Sequence, residues 1–374
     1  MSPDTWDSLL AGVTSVTWQS VVMILIGGVL IALAVVKRYE PLLLLPIGAG
    51  AVLTNLPLSP LVGEDGLLSI LYRVGVGNEL FPLLIFVGIG AMTDFGPLLE
   101  NPRMVLLGAA GQFGIFLTLI LALLIGFDRP EAASIGIIGA IDGPTSIYVS
   151  GILAPHLLGP ISVAAYSYMA LVPIIMPPIM RALTSREERA IRMPYSQRMI
   201  SRRTRILFPV VVTVLVGTLV PFATPLIGML MLGNLMRESG VVERLTKASS
   251  NELANVVTLF LGLAIGSTMA GERFLQLSTL AIMVLGLIAF GLDTTAGVLF
   301  GKLMNAVSKD GFNPLIGAAG ISAFPMAARV VQQEAAREDY DNFLLMHAMG
   351  ANAAGQVASV VAGGVLLALM GAGA

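Results

Sequence analysis

Four uncharged runs decide what this chain can fold into. Met104–Phe127, Ile206–Met236, Leu253–Gly271 and Phe274–Leu292 hold no Asp, Glu, Lys or Arg. Each reaches about the 20 residues that a helix needs to cross a bilayer. Hydrocarbon offers backbone groups no water, so a spanning segment must be a helix or part of a closed barrel. A lipid-facing barrel would alternate apolar and polar residues, and these runs do not. Only 12% of the 374 residues are charged, against roughly 25% in soluble domains. The fold class is therefore an all-α polytopic membrane protein. The chain has no cysteine, which excludes thiolate catalysis, disulfides and iron–sulfur ligation. His156 and His347 are too few for a His-rich metal site. The start "MSPDTWDSLL" carries two acids and no basic n-region, so a cleaved signal peptide is not expected.

A first span is expected near Ser20–Val36, closed by "KRYEP", then apolar segments at Leu42–Leu58 and Leu80–Thr93. Residues 132–153 form a segment broken at Asp142-Gly143-Pro144, and the next runs from Leu157 to about Ala182. Between Arg181 and Arg205 the composition changes: eight arginines (181, 186, 189, 192, 198, 202, 203 and 205) out of 21 Lys plus Arg. Short basic loops stay cytoplasmic, so this loop is expected inside; a docking surface for a soluble partner is the sharper reading of it. Further spans follow at 206–236, 253–271, 274–292 and 343–372, with a second broken region at 294–333. About ten spanning or re-entrant segments are expected in all. The division is residues 1–40 with the first span, 41–183 as a first transmembrane repeat, 184–205 as the basic loop and 206–374 as a second repeat.

The repeat reading rests on ordered matches. Pro46, Leu53, Asn55 and Leu56 match Pro225, Leu232, Asn234 and Leu235 at a spacing of 179. Ile89-Gly90 matches Ile265-Gly266 at 176, and Ile138-Gly139-Ala140 matches Ile316-Gly317-Ala318 at 178. Transporters carry such repeats, with interrupted helices at corresponding positions building the midplane site. The interrupted stretches here are "GAIDGPTS" and "NPLIGAAGISAFP".

Asp142 costs roughly 2.5–3.5 kcal/mol at the centre of a membrane helix on insertion scales, so it must face a cavity and find a partner. Pro144 removes a helix donor and frees backbone carbonyls. Those carbonyls, with Thr145, Ser146 and one carboxylate, suit Na⁺ or a titrating proton; the plain alternative is an acid at a helix end facing water. In "GFNPLIGAAGISAFPMAARVVQQ", Asn313 marks a helix stop, Gly317 and Gly320 permit close backbone approach, and Ser322 adds a hydroxyl. Polar and small residues also serve as glue between packed helices. Arg329 is a bidentate cation for a carboxylate, about two helical turns from Ser322 and so placeable on the same face, or else a snorkelling interfacial residue. Tyr168 could hold or relay a proton, with Tyr166 equally placed to face the cavity. Asn352, in "HAMGANAAGQ", is a neutral amide at either a site or a helix contact. His347 reads as a packed, hydrogen-bonded histidine.

"GAIDGPTSIYVS", "NPLIGAAGISAFPMAARVVQ" and "HAMGANAAGQVAS" together resemble the beta subunit of the sodium-ion-translocating biotin-dependent decarboxylases of oxaloacetate, methylmalonyl-CoA and glutaconyl-CoA. The resemblance covers nearly the whole chain, the Arg-rich loop included. It implies two inverted-topology repeats with broken or re-entrant helices in an elevator-like transporter architecture, in a prokaryotic cytoplasmic membrane. It implies decarboxylation of carboxybiotin, held on a partner and not on this chain, coupled to Na⁺ export and proton uptake. Implied partners are a carboxyltransferase alpha subunit, a biotin carrier subunit, a small membrane-anchoring subunit and further copies of this chain; nucleic acid is not among them. Carried onto this sequence, the implied Na⁺ positions are Asp142, Asn313, Gly317, Ser322, Asn352 and Thr145. Arg329, Tyr168 and Ser322 are the implied catalytic residues, and Arg329, Tyr168 and Asn352 the implied carboxybiotin contacts.

Two other classes fit the same residues. A Na⁺/carboxylate symporter or Na⁺/H⁺ antiporter would use the same acid and arginine without a biotin partner. A membrane anchor for a soluble complex would leave Asp142 without purpose.

Overall fold

The computed structural model describes residues 11–194, 199–308 and 311–371. Arg198 of the basic loop, and residues 1–10 on which the leader reading rests, lie outside the described residues. The principal helices are α1 (Trp18–Val36), α2 (Pro41–Asn55), α3 (Leu80–Met92), α4 (Met104–Ala110), α5 (Phe113–Ile125), α6 (Arg129–Gly136), α7 (Gly143–Leu153) and α8 (Leu158–Leu183). After the basic loop come α9 (Arg202–Leu219), α10 (Thr224–Ser239), α11 (Ala254–Ser267), α12 (Leu277–Val307), α13 (Met326–Glu338) and α14 (Leu345–Leu369). No strand occurs among the described residues. Six helices are long and apolar enough to cross a membrane, or seven if the bent pair Leu67–Val76 and Leu80–Met92 counts as one span.

Two expected spans come out differently. The run 206–236 is two helices, because Pro221 cannot continue the ladder of α9 and instead opens the short turn Pro221–Ala223. The run 274–292 does not stop before Asp293: α12 passes through it and is 31 residues long in all, from Leu277 to Val307. It can do so because neighbouring backbone N–H groups meet the Asp293 carboxyl inside the protein.

The kinds of element recur in order. A π-helical turn at Tyr72–Val76 precedes α3, and another at Ser249–Leu253 precedes α11. A 3-10 turn at Ile137–Ala140 leads to α7, and one at Pro314–Gly320 leads to α13. Asn55, at the end of α2, donates to Met269 O at 2.8 Å and accepts from Gly271 N at 2.9 Å, both just beyond α11. Asn234, near the end of α10, donates to Thr93 O at 3.0 Å, just beyond α3. The two matched asparagines thus each tie one half of the chain to the turn that ends a helix of the other half. Without a hydrophobic drive between helices in lipid, close backbone approach and such hydrogen bonds hold them together.

The broken segments enter from opposite ends. α8 is 26 residues, about 39 Å long. At its start His156 pairs with Glu131 at 2.8 Å, so the Arg129–Leu153 hairpin has its base there. At its other end Arg181 grips Glu334 of α13 through two bonds of 2.6 and 2.8 Å. Arg189 adds a 2.6 Å pair with Glu338, so the second hairpin has its base at the Arg-rich end.

Packing between α3 and α10 tests this account. A Cβ on Gly90 would come 1.8 Å from Leu230 O, whereas one on Gly228 meets nothing within 4 Å. Gly90→Ala is expected to lower stability by about 1–3 kcal/mol, read as a fall in thermal unfolding temperature in detergent. Gly228→Ala is expected to leave that temperature unchanged or raise it.

Candidate functional site

The first break is built by backbone strain and capping. The 3-10 turn Ile137–Ala140 ends at Ile141, which takes a left-handed backbone at φ 52. A β-branched residue there costs of order 1–3 kcal/mol, and such strain gathers at functional sites. It frees Asp142 to act as N-cap of α7, with Pro144 in the first turn where its missing N–H is harmless. The Asp142 carboxylate accepts from Thr145 N at 3.3 Å and from the Thr145 hydroxyl at 2.7 Å. It also accepts from Gln356 Nε2 at 3.0 Å and Ser359 Oγ at 2.9 Å, both on α14. Its residue is 4% exposed, and no Lys, Arg or His forms an ion pair with it among the described residues. The α7 dipole and four donors favour the anion, but no fixed cation neutralises it.

The second break meets the first. Ser322 N donates to Ala140 O at 3.1 Å, joining the two tips directly. Ser322 Oγ donates to Gly355 O at 2.9 Å, and Asn352 Nδ2 to Ile321 O at 2.6 Å. Asn352 Oδ1 and the Tyr166 hydroxyl are buried without a partner. A cavity of about 340 Å³ opens here, lined on one side by Asp142, Gly143, Tyr166, Ser322 and Gln356, and on the other by Leu43, Ile85 and Ile89. One carboxylate, several hydroxyl and amide oxygens and the carbonyls of two unwound segments form a hard-oxygen set of the kind that coordinates Na⁺ or H⁺ in interrupted-helix transporters.

The structure brings together Asp142, Thr145, Ser322 and Asn352 and leaves the other expected residues apart. Asn313 is fully buried at the base of its hairpin, donating to Arg189 O and Ile191 O at 2.9 Å each. Seven 3-10 residues separate it from the tip, about 14 Å at 2 Å per residue. Gly317 packs against α12, where a Cβ would stand 1.9 Å from Gly297 O; it shapes the hairpin and does not reach Asp142. The Tyr168 hydroxyl donates to Met283 O on α12, while Tyr166 faces the cavity with its ring against Gly143. Arg329 is exposed in the first turn of α13 and forms no ion pair among the described residues. It does not share a helical face with Ser322, because residues 321–325 are not helical and α13 begins only at Met326.

Sequence reading missed Gln356 and Ser359. They follow Asn352 by four and seven residues on α14, a polar stripe at helical spacing that was legible. It also passed over Asp293, which stands one residue beyond the end of an uncharged run.

Comparison with known proteins places the chain in a family. The family model of the Na⁺-transporting oxaloacetate decarboxylase beta subunit matches residues 19–370. The methylmalonyl-CoA decarboxylase subunit beta of Propionigenium modestum is 54% identical, over 94% of this chain and 95% of its own. Oxaloacetate decarboxylase beta chain 2 of Salmonella typhimurium is 50% identical over 92% and 94%. The glutaconyl-CoA decarboxylase subunit beta of Acidaminococcus fermentans is 51% identical over 96% of each chain. With its helical membrane fold and its buried oxygen-lined acid, the chain belongs to the family of Na⁺-transporting decarboxylase beta subunits.

Proposed function

We propose that this chain decarboxylates carboxybiotin delivered by a partner biotin carrier and couples that step to Na⁺ export and proton uptake. The observation that carries the reading is Asp142: a buried carboxylate at the meeting point of two broken segments, without a fixed counter-charge and open to a cavity. A cation that comes and goes is the compensation such a site needs, since an unpaired buried charge costs several kcal/mol. The Arg-rich loop faces the cytoplasm by the positive-inside rule. Na⁺ then reaches Asp142 from the cytoplasm, held by the Thr145 hydroxyl, the Asn352 amide oxygen and tip carbonyls. Ser322 couples the two tips through its backbone.

Decarboxylation breaks the C–N bond of carboxybiotin, releases CO₂ and leaves a ureido nitrogen that takes a proton. Arg329 suits the carboxylate before this step: it is an exposed guanidinium in the first turn of α13, seven residues beyond Ser322. Charged side chains of membrane proteins face water-filled spaces in preference to lipid. A proton from the outer side that replaces Na⁺ at Asp142 pushes the ion outward. If two Na⁺ leave for each entering H⁺, the net charge costs about 2.3 kcal/mol per 100 mV. Each Na⁺ moved against a tenfold gradient adds about 1.4 kcal/mol. CO₂ release supplies both.

Two inverted repeats, 41–183 and 206–374, with an elevator-like movement of the hairpins, fit this cycle. The hairpins that enter from opposite ends support the inversion. The largely aliphatic wall of Leu43, Ile85 and Ile89 supports sliding, with the Glu79–Tyr148 hydrogen bond a polar contact between the start of α3 and α7 that the movement would break. A carboxyltransferase subunit, a biotin carrier, a small anchoring subunit and further copies of this chain complete the proposed complex. A Na⁺-coupled secondary transporter is the alternative and would move its solute when reconstituted alone.

The deciding experiment is Na⁺ uptake into proteoliposomes holding the complete complex, with and without avidin. Uptake that avidin blocks supports the pump; avidin-insensitive uptake by this chain alone sinks it. Asp142→Asn is expected to abolish Na⁺-stimulated turnover. Gln356→Ala and Ser359→Ala each remove a hydrogen bond to a charged group, worth about 1.5–3 kcal/mol. The apparent Na⁺ affinity of each variant is expected to weaken by about tenfold or more. Arg329→Gln is expected to raise the half-saturating concentration of carboxybiotin with little change in that for Na⁺.

A further inference from the structure

The cycle above leaves one buried acid unused. Asp293 lies on α12, 0% exposed, in a stretch without another charge from Leu275 to Phe300. One of its oxygens accepts the Gly114 N–H, and the Ile115 N–H is directed at the same carboxyl. These are first-turn donors of α5, whose own N-cap residue, Gln112, supplies no side-chain cap. The other oxygen, Oδ2, has no partner. Gly139 presses on it so closely that an added Cβ would stand 2.4 Å away, with the Ala289 methyl bordering the same contact. Gly139 is three residues before Asp142, on the turn that leads into the first break.

No fixed cation balances a charge on Asp293 among the described residues; its support is the two α5 N–H groups at the carboxyl. α4, α5 and the turns Ile137–Ala140 and Pro314–Gly320 carry no titratable side chain. On α8 the Tyr168 hydroxyl is spent on Met283 O and Arg181 on Glu334. Glu131 of α6 is paired with His156 at the far end of its hairpin, and Arg129 opens α6 at that same end. Lys302, nine residues along α12, is bonded to Glu188 and Leu183 O. A metal ion needs several oxygens around it, and the free oxygen faces a glycine backbone and a methyl group. A proton needs no such room.

We propose that Asp293 is a second proton-binding site, occupied while Gly139 is seated against it and emptied when the 137–141 segment lifts away. Proton binding and seating of the first break are then linked: each favours the other by the same factor. On the transport reading above, on which this part rests, the site ties proton uptake to the movement of the hairpin that carries Asp142. The seated state holds a neutral carboxyl, and the unseated state exposes Oδ2 to water and releases the proton.

Infrared difference spectroscopy of the complete complex tests the site. The carbonyl stretch of a protonated carboxyl is expected at neutral pH in the wild type and is expected to be missing in Asp293→Asn. Identical spectra overturn the proposal whatever Asp142 does, so its failure is separable from that of the transport reading. The second measurement is the pH profile of Na⁺-stimulated turnover. Asp293→Asn, which keeps the acceptor for Gly114, is expected to lose one ionisation that the wild type shows; an unchanged profile overturns the exchange. Should that variant fail to assemble, Gly139→Ala keeps the acid but forces a methyl group onto Oδ2. It is expected to weaken proton binding, read from the same band, by about tenfold, or about 1.4 kcal/mol; an unaltered band overturns the linkage.

Discussion

A negative charge held in the protein interior without a positive partner governs the design of this molecule. The Asp142 carboxylate keeps four hydrogen-bond donors, and those donors lower the cost of burial without cancelling it. Everything that brings them together serves this end. The left-handed Ile141 turns the chain, Pro144 opens α7, and α14 supplies Gln356 and Ser359 from the other half of the sequence. In a closed ion pair the charge would be settled permanently. Here no Lys, Arg or His closes the pair among the described residues, which is what the proposed cation cycle requires.

The surrounding packing is of two kinds. Where α2 meets α11 and α3 meets α10, glycines let backbones touch and asparagines bond across, which favours a rigid frame. Where that frame faces the broken segments, the cavity lining is mostly aliphatic, and the Glu79–Tyr148 hydrogen bond bridges the start of α3 to α7. The Arg-rich loop adds a third element. Arg181, Arg189 and Arg192 bind Glu334, Glu338 and Asp339 at the end of α13, so a loop that reads from sequence as a topology signal is also a clamp on the second hairpin. Exposed pairs of this kind contribute little singly, but Glu334 is 3% exposed and bidentate.

The class of the protein and both breaks are legible in the order of residues alone. Uncharged runs require membrane helices, and a proline and glycines beside lone polar residues require interruptions. Ser322 and Thr145 stand out because hydroxyls in such interruptions are conspicuous. Asn313 and Gly317 are equally conspicuous, yet one clamps the basic loop and the other packs on Gly297. A residue type suited to a cation is suited to a backbone carbonyl as well, and only position separates the two uses.

Composition and order along the chain by themselves determined the helical membrane fold and the two interrupted segments, and marked Asp142 as an acid to be buried, because hydrocarbon leaves a backbone few choices and an acid none. Tertiary structure alone decided which oxygens meet at that acid. Gln356 and Ser359 are more than 200 residues away from it along the chain. Tyr166 and Tyr168 differ only in the direction a helix points them. Asp293 looks like the end of a span until α5 is seen to donate into it. Long-range contacts of this sort depend on how helices cross, and a linear pattern carries no record of the crossing.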